Sequence, residues 1–292
     1  ENSKEVVYVS SGEGTTSQGD FHESLNWAGR EKAPVIFHIQ DNEYAISTHR
    51  SEQTAGSVFS LVSGYENLSK YQVDGTDFFE THLAFKQAIE RARRGKGPSV
   101  IVSNVVRLMP HSSSDDQRKY RTEKSLEEDL KRDPIALFKQ FCIEKKIFTE
   151  TNANKIENQI KEQISKDIEW AEKQDHPSKE TATRYVYSED KVKLEPKLTK
   201  ISENIVMVDA INHALHEEMK YNNRMVVYGQ DIADPKGGVF TATKGLSKRF
   251  GKNRVFNSQL AESSIIGTAV GMAVTGYKPV VEIQFGDYIW TA

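Results

Sequence analysis

Residues 6–47 read VVYVSSGEGTTSQGDFHESLNWAGREKAPVIFHIQDNEYAIS, and the order of signals in them decides the fold. An apolar run, Val6–Ser10, has the length and β-branched content of a strand and breaks at Gly12-Glu13-Gly14. Asp20 with Glu23 three residues on has the form of a capping box, which predicts a helix to about Gly29. Pro34–Gln40 (PVIFHIQ) is again strand-like and runs directly into Asp41-Asn42. Strand, helix, strand within so short a span predicts parallel pairing through a crossover, and hence an α/β sheet covered on both faces. Asp77 then caps a predicted helix through Arg94, which stops at Gly95-Lys96-Gly97-Pro98, and Ser99–Arg107 follows as a further strand. In sheets of this kind, ligands bind beyond the carboxyl ends of the strands. Gly12–Gly14 and Asp41–Tyr44 both fall there.

Farther along, Ile156, Ile160, Ile164 and Ile168 recur at four-residue spacing among charges, which predicts an amphipathic helix. Residues 176–200 are polar, aperiodic and interrupted by proline, as in a linker. Strand–helix alternation then resumes: a helix carrying Ala210, Ile211, Ala214, Leu215 and Met219, a strand at Met225–Gln230, a small-residue helix at Ser263–Gly276 and a strand at Lys278–Phe285. The expected organisation is two α/β domains, 1–122 and 201–292, joined by a helical segment and linker over 123–200.

Composition agrees with a soluble globular chain, with 28% charged and 37% hydrophobic residues. No apolar run approaches the ~20 residues of a membrane helix. A net charge of -3 over 292 residues gives no general attraction to nucleic acid. The single cysteine, Cys142, excludes an internal disulfide, fits a reducing compartment and sits in a helical pattern as a small core residue. The chain opens on Glu1, not Met, and stops at Ala292 straight after a strand-like run, so both ends are expected to be cuts within a longer polypeptide.

The chemistry available at the two strand ends is specific. A diphosphate held through magnesium requires hard oxygen ligands in an octahedral shell shared with phosphate and water. Glu13 offers a carboxylate, Asn42 an amide oxygen and Tyr44 a backbone carbonyl; Gly12 and Gly14 allow a close approach of backbone to phosphate. Taken singly, Gly-Glu-Gly is an ordinary surface turn, and so is an Asp-Asn pair. Their joint occurrence after two strands, with a helix between, resembles the thiamin diphosphate motif. The fuller run GEGTTSQGDFHESLNWAG…APVIFHIQDNEYAIST resembles the alpha chains of 2-oxo acid dehydrogenases. That resemblance adds Thr15, Ala45 and Ile46 to the cofactor contacts. Glu43 stands where the family usually has glycine.

Two further stretches extend the resemblance. RLMPHSSSDD (107–116), with Tyr120-Arg121 after it, resembles the family's active-site loop: His111 matches its catalytic histidine, Ser112 the serine that animal kinases phosphorylate, and Arg107 a residue facing phosphate or substrate carboxylate. Pro110 replaces the usual first histidine. Residues 201–292, with GGVFTATKGLSKRFG, RVFNSQLAESSIIGTAVGMAVTG and VVEIQFGDYIW, resemble the opening of the matching beta chain. There the resemblance implies that Glu262 is the acid that protonates the cofactor's pyrimidine ring, that Leu260 lies beside it, and that Gln284 and Tyr288 flank ring and substrate. Without it, Glu262 is an ordinary acid at a helix start.

The implied activity is decarboxylation of a small 2-oxo acid with thiamin diphosphate and Mg2+, and transfer of the acyl group to the lipoyl group of a partner acyltransferase. SEQTAG, HSSSDD with Tyr120-Arg121, GGVF and EIQF-DYI favour the branched-chain (2-oxoisovalerate) member; pyruvate or acetoin dehydrogenase is the alternative, and a catalytically silent fragment or assembly module a third. Association with other dehydrogenase chains, as a homo-oligomer, is also implied. The fused order has a bacterial look, which together with the lack of a targeting segment points to the cytoplasm.

Overall fold

A computed structural model describes residues 3–187 and 204–292. They fall into two compact units, Glu1–Pro134 with Ile205–Ala292, and Ile135–Asn204.

The first part of the larger unit runs β1 (Val7–Gly12), α1 (Gly19–Glu31), β2 (Val35–Asp41), a hairpin of β3 (Tyr44–Ala45) and β4 (Thr48–His49), α2 (Val58–Leu61), β5 (Ser69–Asp74), α3 (Phe78–Arg93) and β6 (Ser99–Asn104). Four strands pair in parallel in the order β1-β2-β6-β5. Side chains alternate across a strand, and this alternation builds a core on each face. Phe37, Ile39, Val100 and Val102 meet Phe21 and Leu25 of α1 and Val58 of α2. Ile36 and Ile101 point the other way, onto Ala84 and Ala88 of α3.

Several boundaries differ from the sequence reading for identifiable reasons. The proposed capping box does not form: Gln18 is the residue before α1, without a side-chain cap, Asp20 lies inside the first turn, and Glu23 accepts a hydrogen bond from Ser264 instead. β5, SKYQVD, escaped notice because an edge strand with mostly half-exposed polar residues has no apolar run. β6 ends at Asn104, short of Arg107. Asp77 does cap α3, accepting from the amides of Phe79 and Glu80. After β6 a long loop leads into α4 (Glu123–Leu130), capped by Thr122.

The smaller unit contains α5 (Pro134–Glu144) and α6 (Glu150–Glu172), with Thr149 capping α6. Cys142 is buried there, as expected of a core residue. The isoleucine stripe of α6 is about half exposed. Of the expected linker, residues 179–183 form a 3-10 turn, and 188–200 lie outside the described residues.

The chain returns to the larger unit with α7 (Met207–Tyr221), β7 (Met225–Gly229), α8 (Leu246–Phe250), β8 (Val255–Asn257), α9 (Glu262–Val274) and β9 (Lys278–Glu282). A second parallel sheet has the order β8-β7-β9, with α7 and α8 against one face and α9 against the other. The two sheets are joined through α1 and α9. Trp27 of α1 packs edge-on against Tyr228 of β7, ring centroids 6.1 Å apart. Asn26 donates to Gln259 at 2.6 Å, Gln259 donates to the Glu23 carbonyl at 2.9 Å, and Ser264 donates to the Glu23 carboxylate at 2.7 Å. The result is an α/β architecture of parallel sheets, as the alternation of signals implied. Among the described residues no helix is long and apolar enough to cross a membrane.

Candidate cofactor site

Glu13 begins the turn that links β1 to α1, and its side chain goes inward. Only 2% of the residue is exposed. One oxygen, Oε2, accepts from the Asn42 amide at 3.4 Å; the other, Oε1, is buried without a partner among the described residues. Burial pushes the Glu13 carboxyl above the usual carboxylate range and the nearby Asp41 adds to this, while its own amide, that of Asn42 and the charge of Arg50 oppose it. A buried carboxylate with an unused lone-pair direction is costly unless something positive completes it.

The facing loop is tightly organised. Asn42 Oδ1 accepts from the Tyr44 amide at 3.0 Å, a local turn of the kind asparagine makes with the backbone two residues on. Glu43 has φ +71° and Ile46 φ +57°, so two non-glycine residues hold left-handed conformations around Tyr44 and Ala45. Asp41, 2% exposed, accepts from the Glu43 amide at 3.1 Å and pairs with Arg50, which also reaches Glu43 at 3.2 Å. The hairpin lies directly on the Glu13 turn: a Cβ built on Gly14 would stand 2.8 Å from the Ala45 Cβ. At Gly12 the nearest atom is 4.0 Å away, so space beside it is open. Thr15 is exposed on the same turn. A polar cavity of about 590 Å³ opens at the carboxyl ends of β2, β5 and β6, with Asp41, Asp74 and Asn104 in its wall beside Tyr44, Arg50 and Arg121.

Arg107 is held within the fold. Its terminal nitrogens donate to the Ile46 carbonyl and to the Tyr120 hydroxyl, both at 2.7 Å, so the guanidinium ties the active-site-type loop to the hairpin instead of facing open space. The Tyr120 hydroxyl in turn donates to Asp115 at 2.7 Å, and Asp115 also accepts from the His111 amide at 2.9 Å. These bonds hold the Asp115 carboxyl below its usual range. His111 and Ser112 lie exposed on this loop. Arg121 is buried, stacked over Tyr44 at 5.2 Å and paired with Asp129 at 2.6 Å.

In the second sheet Glu262 opens α9 and accepts from Gln230 at 2.9 Å. Gln284 donates to Asp231 at 2.8 Å and to the Gln230 carbonyl at 3.4 Å, so the ends of β7 and β9 are linked around Glu262. Leu260 is 87% exposed, and Tyr288 packs on Phe285 at 5.5 Å. Thus one group, Gly12, Glu13, Gly14, Asn42, Tyr44, Ala45 and Ile46, is brought together around the Glu13 turn, and a second, Gln284 and Glu262, around Gln230. α1, which follows the Glu13 turn, and α9, which begins at Glu262, are in contact.

Residues 1–180 match the family model described as dehydrogenase E1 component, and residues 203–292 that described as transketolase, pyrimidine binding domain. The chain belongs to the dehydrogenase E1 component family. Among curated proteins it is 36% identical over 184 residues to the 2-oxoisovalerate dehydrogenase subunit alpha of Bacillus subtilis, covering 63% of this chain and 56% of that one. To the pyruvate dehydrogenase E1 component subunit alpha of Staphylococcus aureus it is 39% identical over 180 residues, 61% of this chain and 48% of the relative. The corresponding Staphylococcus epidermidis protein is 38% identical over 179 residues, with the same shares. The chain therefore spans about half the length of these relatives. An alpha-type part followed by a pyrimidine-type part is what the sequence motifs implied, and together the two matches imply thiamin diphosphate. The relatives carry both substrate names, so the family is set at the level of 2-oxo acid dehydrogenases.

Sequence reasoning missed Asp41, Arg50, Gln230 and Tyr120 as organisers of the site. Asp41 and Tyr120 fell within quoted motifs but were given no role there; a charge flanking a ligand candidate, such as Asp41 or Arg50, looks like a solvated side chain until its partner is known.

Proposed function

We propose that the protein containing this chain decarboxylates a branched-chain 2-oxo acid, with 2-oxoisovalerate preferred to pyruvate, and passes the acyl group to the lipoyl group of a partner acyltransferase. In this reading residues 1–122 form the diphosphate-binding domain, 123–200 a helical segment and linker, and 201–292 the pyrimidine-binding domain. The cytoplasm and a homo-oligomeric state remain part of the proposal. The observation that carries it is the buried Glu13 carboxylate with its open Oε1, set against Asn42 at the strand ends.

Among the described residues no group of three or more His, Cys, Asp and Glu side chains is placed to hold a metal ion. The expected donors are of another kind: Glu13 is the one acid, joined by the Asn42 amide oxygen and the Tyr44 carbonyl. Three hard oxygens with room for phosphate and water fit Mg2+, and the orphaned Oε1 gives the cation its charged ligand. Thiamin diphosphate, when bound, supplies the carbanion that attacks the ketone and accepts the electron pair left by carbon dioxide. Glu13, Asn42 and Tyr44 would hold the diphosphate through the cation, with Gly12, Gly14 and Thr15 beside it. Glu262 would hold a proton at the pyrimidine nitrogen, oriented by the Gln230 amide. His111 would meet the lipoyl-bearing partner, since its loop is exposed and anchored by Asp115.

Carbon dioxide release by the full-length protein, with Mg2+ and thiamin diphosphate, decides the substrate. One or two methylenes in a fitted pocket predict a preference in kcat/KM for 2-oxoisovalerate over pyruvate of at least about 10-fold. Equal or inverted values would replace the branched-chain reading with the pyruvate one. Glu262→Gln should lower kcat by about 100-fold or more. The isolated 292-residue chain, whose match spans only about half the length of its relatives, is expected to turn over poorly.

A further inference from the structure

Arg50 is not a candidate ligand, yet it touches the residues on both sides of one. Its guanidinium pairs with Asp41, immediately before Asn42, and with Glu43, immediately after it, at 3.2 Å. Its backbone amide donates to the Glu43 carbonyl at 2.7 Å. A ten-residue excursion, Asp41 to Arg50, is thereby closed on itself, with Asn42, Tyr44 and the β3–β4 hairpin inside the closure.

Such a closure is needed here. Glu43 sits at φ +71°, a left-handed conformation that an L residue with a Cβ adopts only at a cost. Asp41 is a buried carboxylate beside the buried Glu13, two like charges that repel unless a cation intervenes. One side chain answers both problems, because Arg50 neutralises Asp41 and gives the strained Glu43 a partner. Its fork geometry permits this dual contact, which a lysine point charge would not reproduce.

We propose that Arg50 is a positioning residue for the diphosphate-binding loop, clamping Asp41 and Glu43 so that the Asn42 amide and the Tyr44 carbonyl are held ready for the cation. The inference rests on the cofactor reading above, in which Asn42 and Tyr44 are ligands. It also assigns a reason to Glu43: the glutamate at a glycine-type position is tolerated because Arg50 holds it.

Calorimetric titration of the full chain with thiamin diphosphate at saturating Mg2+ tests this, with thermal unfolding recorded for every variant. Arg50→Ala should weaken binding by about 10- to 100-fold, as loss of a residue that orients metal ligands does, and Arg50→Lys should restore little of it. Glu43→Gly removes the backbone cost, so Arg50→Ala/Glu43→Gly should recover a good part of the lost affinity, a rescue that a general loss of stability would not show. Glu43→Gln leaves the Asp41 pair in place, folds whatever Arg50→Ala does, and should cost about 2- to 5-fold, the worth of a half-exposed ion pair. Wild-type affinity in both Arg50→Ala and Glu43→Gln, in a chain whose cofactor binding Glu13→Ala abolishes, would overturn the clamp and leave the cofactor reading standing. No cofactor uptake by the folded wild-type chain would overturn both.

Discussion

At the scale of single residues, Glu13 carries opposed demands of stability and function. Its carboxyl is pushed up by burial, so the folded chain binds its proton more tightly than the unfolded chain does. Stability from this group is therefore greatest at low pH and declines as pH rises from the usual carboxylate value through the raised one. Glu13→Gln should make the cation-free chain more stable at neutral pH by about 1–3 kcal/mol, the scale of an unsatisfied buried polar group, while removing Mg2+-dependent cofactor binding. Urea unfolding at pH 5 and pH 8 checks the sign: the gap between variant and wild type should widen at the higher pH. A gap that closes with rising pH would show that Glu13 is already satisfied. Gly14 makes a second residue-scale prediction. A methyl group there meets the Ala45 Cβ at 2.8 Å, so Gly14→Ala should cost about 1–3 kcal/mol in thermal unfolding.

At the scale of elements, the loop after β6 and the α1–α9 contact do the organising. Tyr120 receives from Arg107 and donates to Asp115, which in turn holds the His111 amide. Tyr120→Phe breaks this relay, and amide exchange at His111 should accelerate by roughly 5- to 10-fold, the equivalent of about one hydrogen bond. Unchanged exchange would mean that the loop is held elsewhere. Trp27 joins the two sheets, and Trp27→Ala should cost about 2–3 kcal/mol and split one calorimetric transition into two. How far these elements could be read from sequence depended on the signal each left. β2, α1 and α3 were legible because burial on one or both faces imposes periodic apolar residues, and α9 because a run of small and apolar residues follows Leu260-Ala261-Glu262. β5 was not, since an edge strand half open to water has no need of them. The proposed ligands Glu13, Asn42 and Tyr44 could be picked out as oxygen donors at strand ends, whereas the contacts of Arg50 could not, because an arginine bridging two acids has no spacing rule. The Asp20–Glu23 capping pattern misled: Glu23 turned out to serve the contact with α9, a long-range demand that no local pattern records.

At the scale of the whole molecule, the chain joins two parallel sheets, the first within the dehydrogenase E1 component match and the second within the transketolase pyrimidine binding domain match. The turn bearing Glu13 leads into α1, the strand ends around Gln230 lead to Glu262 at the head of α9, and α1 packs on α9. The central claim is that the first of these sheets grips a diphosphate through a divalent cation held by Glu13. Its most direct test is calorimetric titration of the chain with thiamin diphosphate, with and without Mg2+, for wild type and Glu13→Ala. Binding that requires Mg2+ and disappears in Glu13→Ala is the predicted result. Binding indifferent to Mg2+ or to Glu13, or none at all by a folded chain, would contradict it.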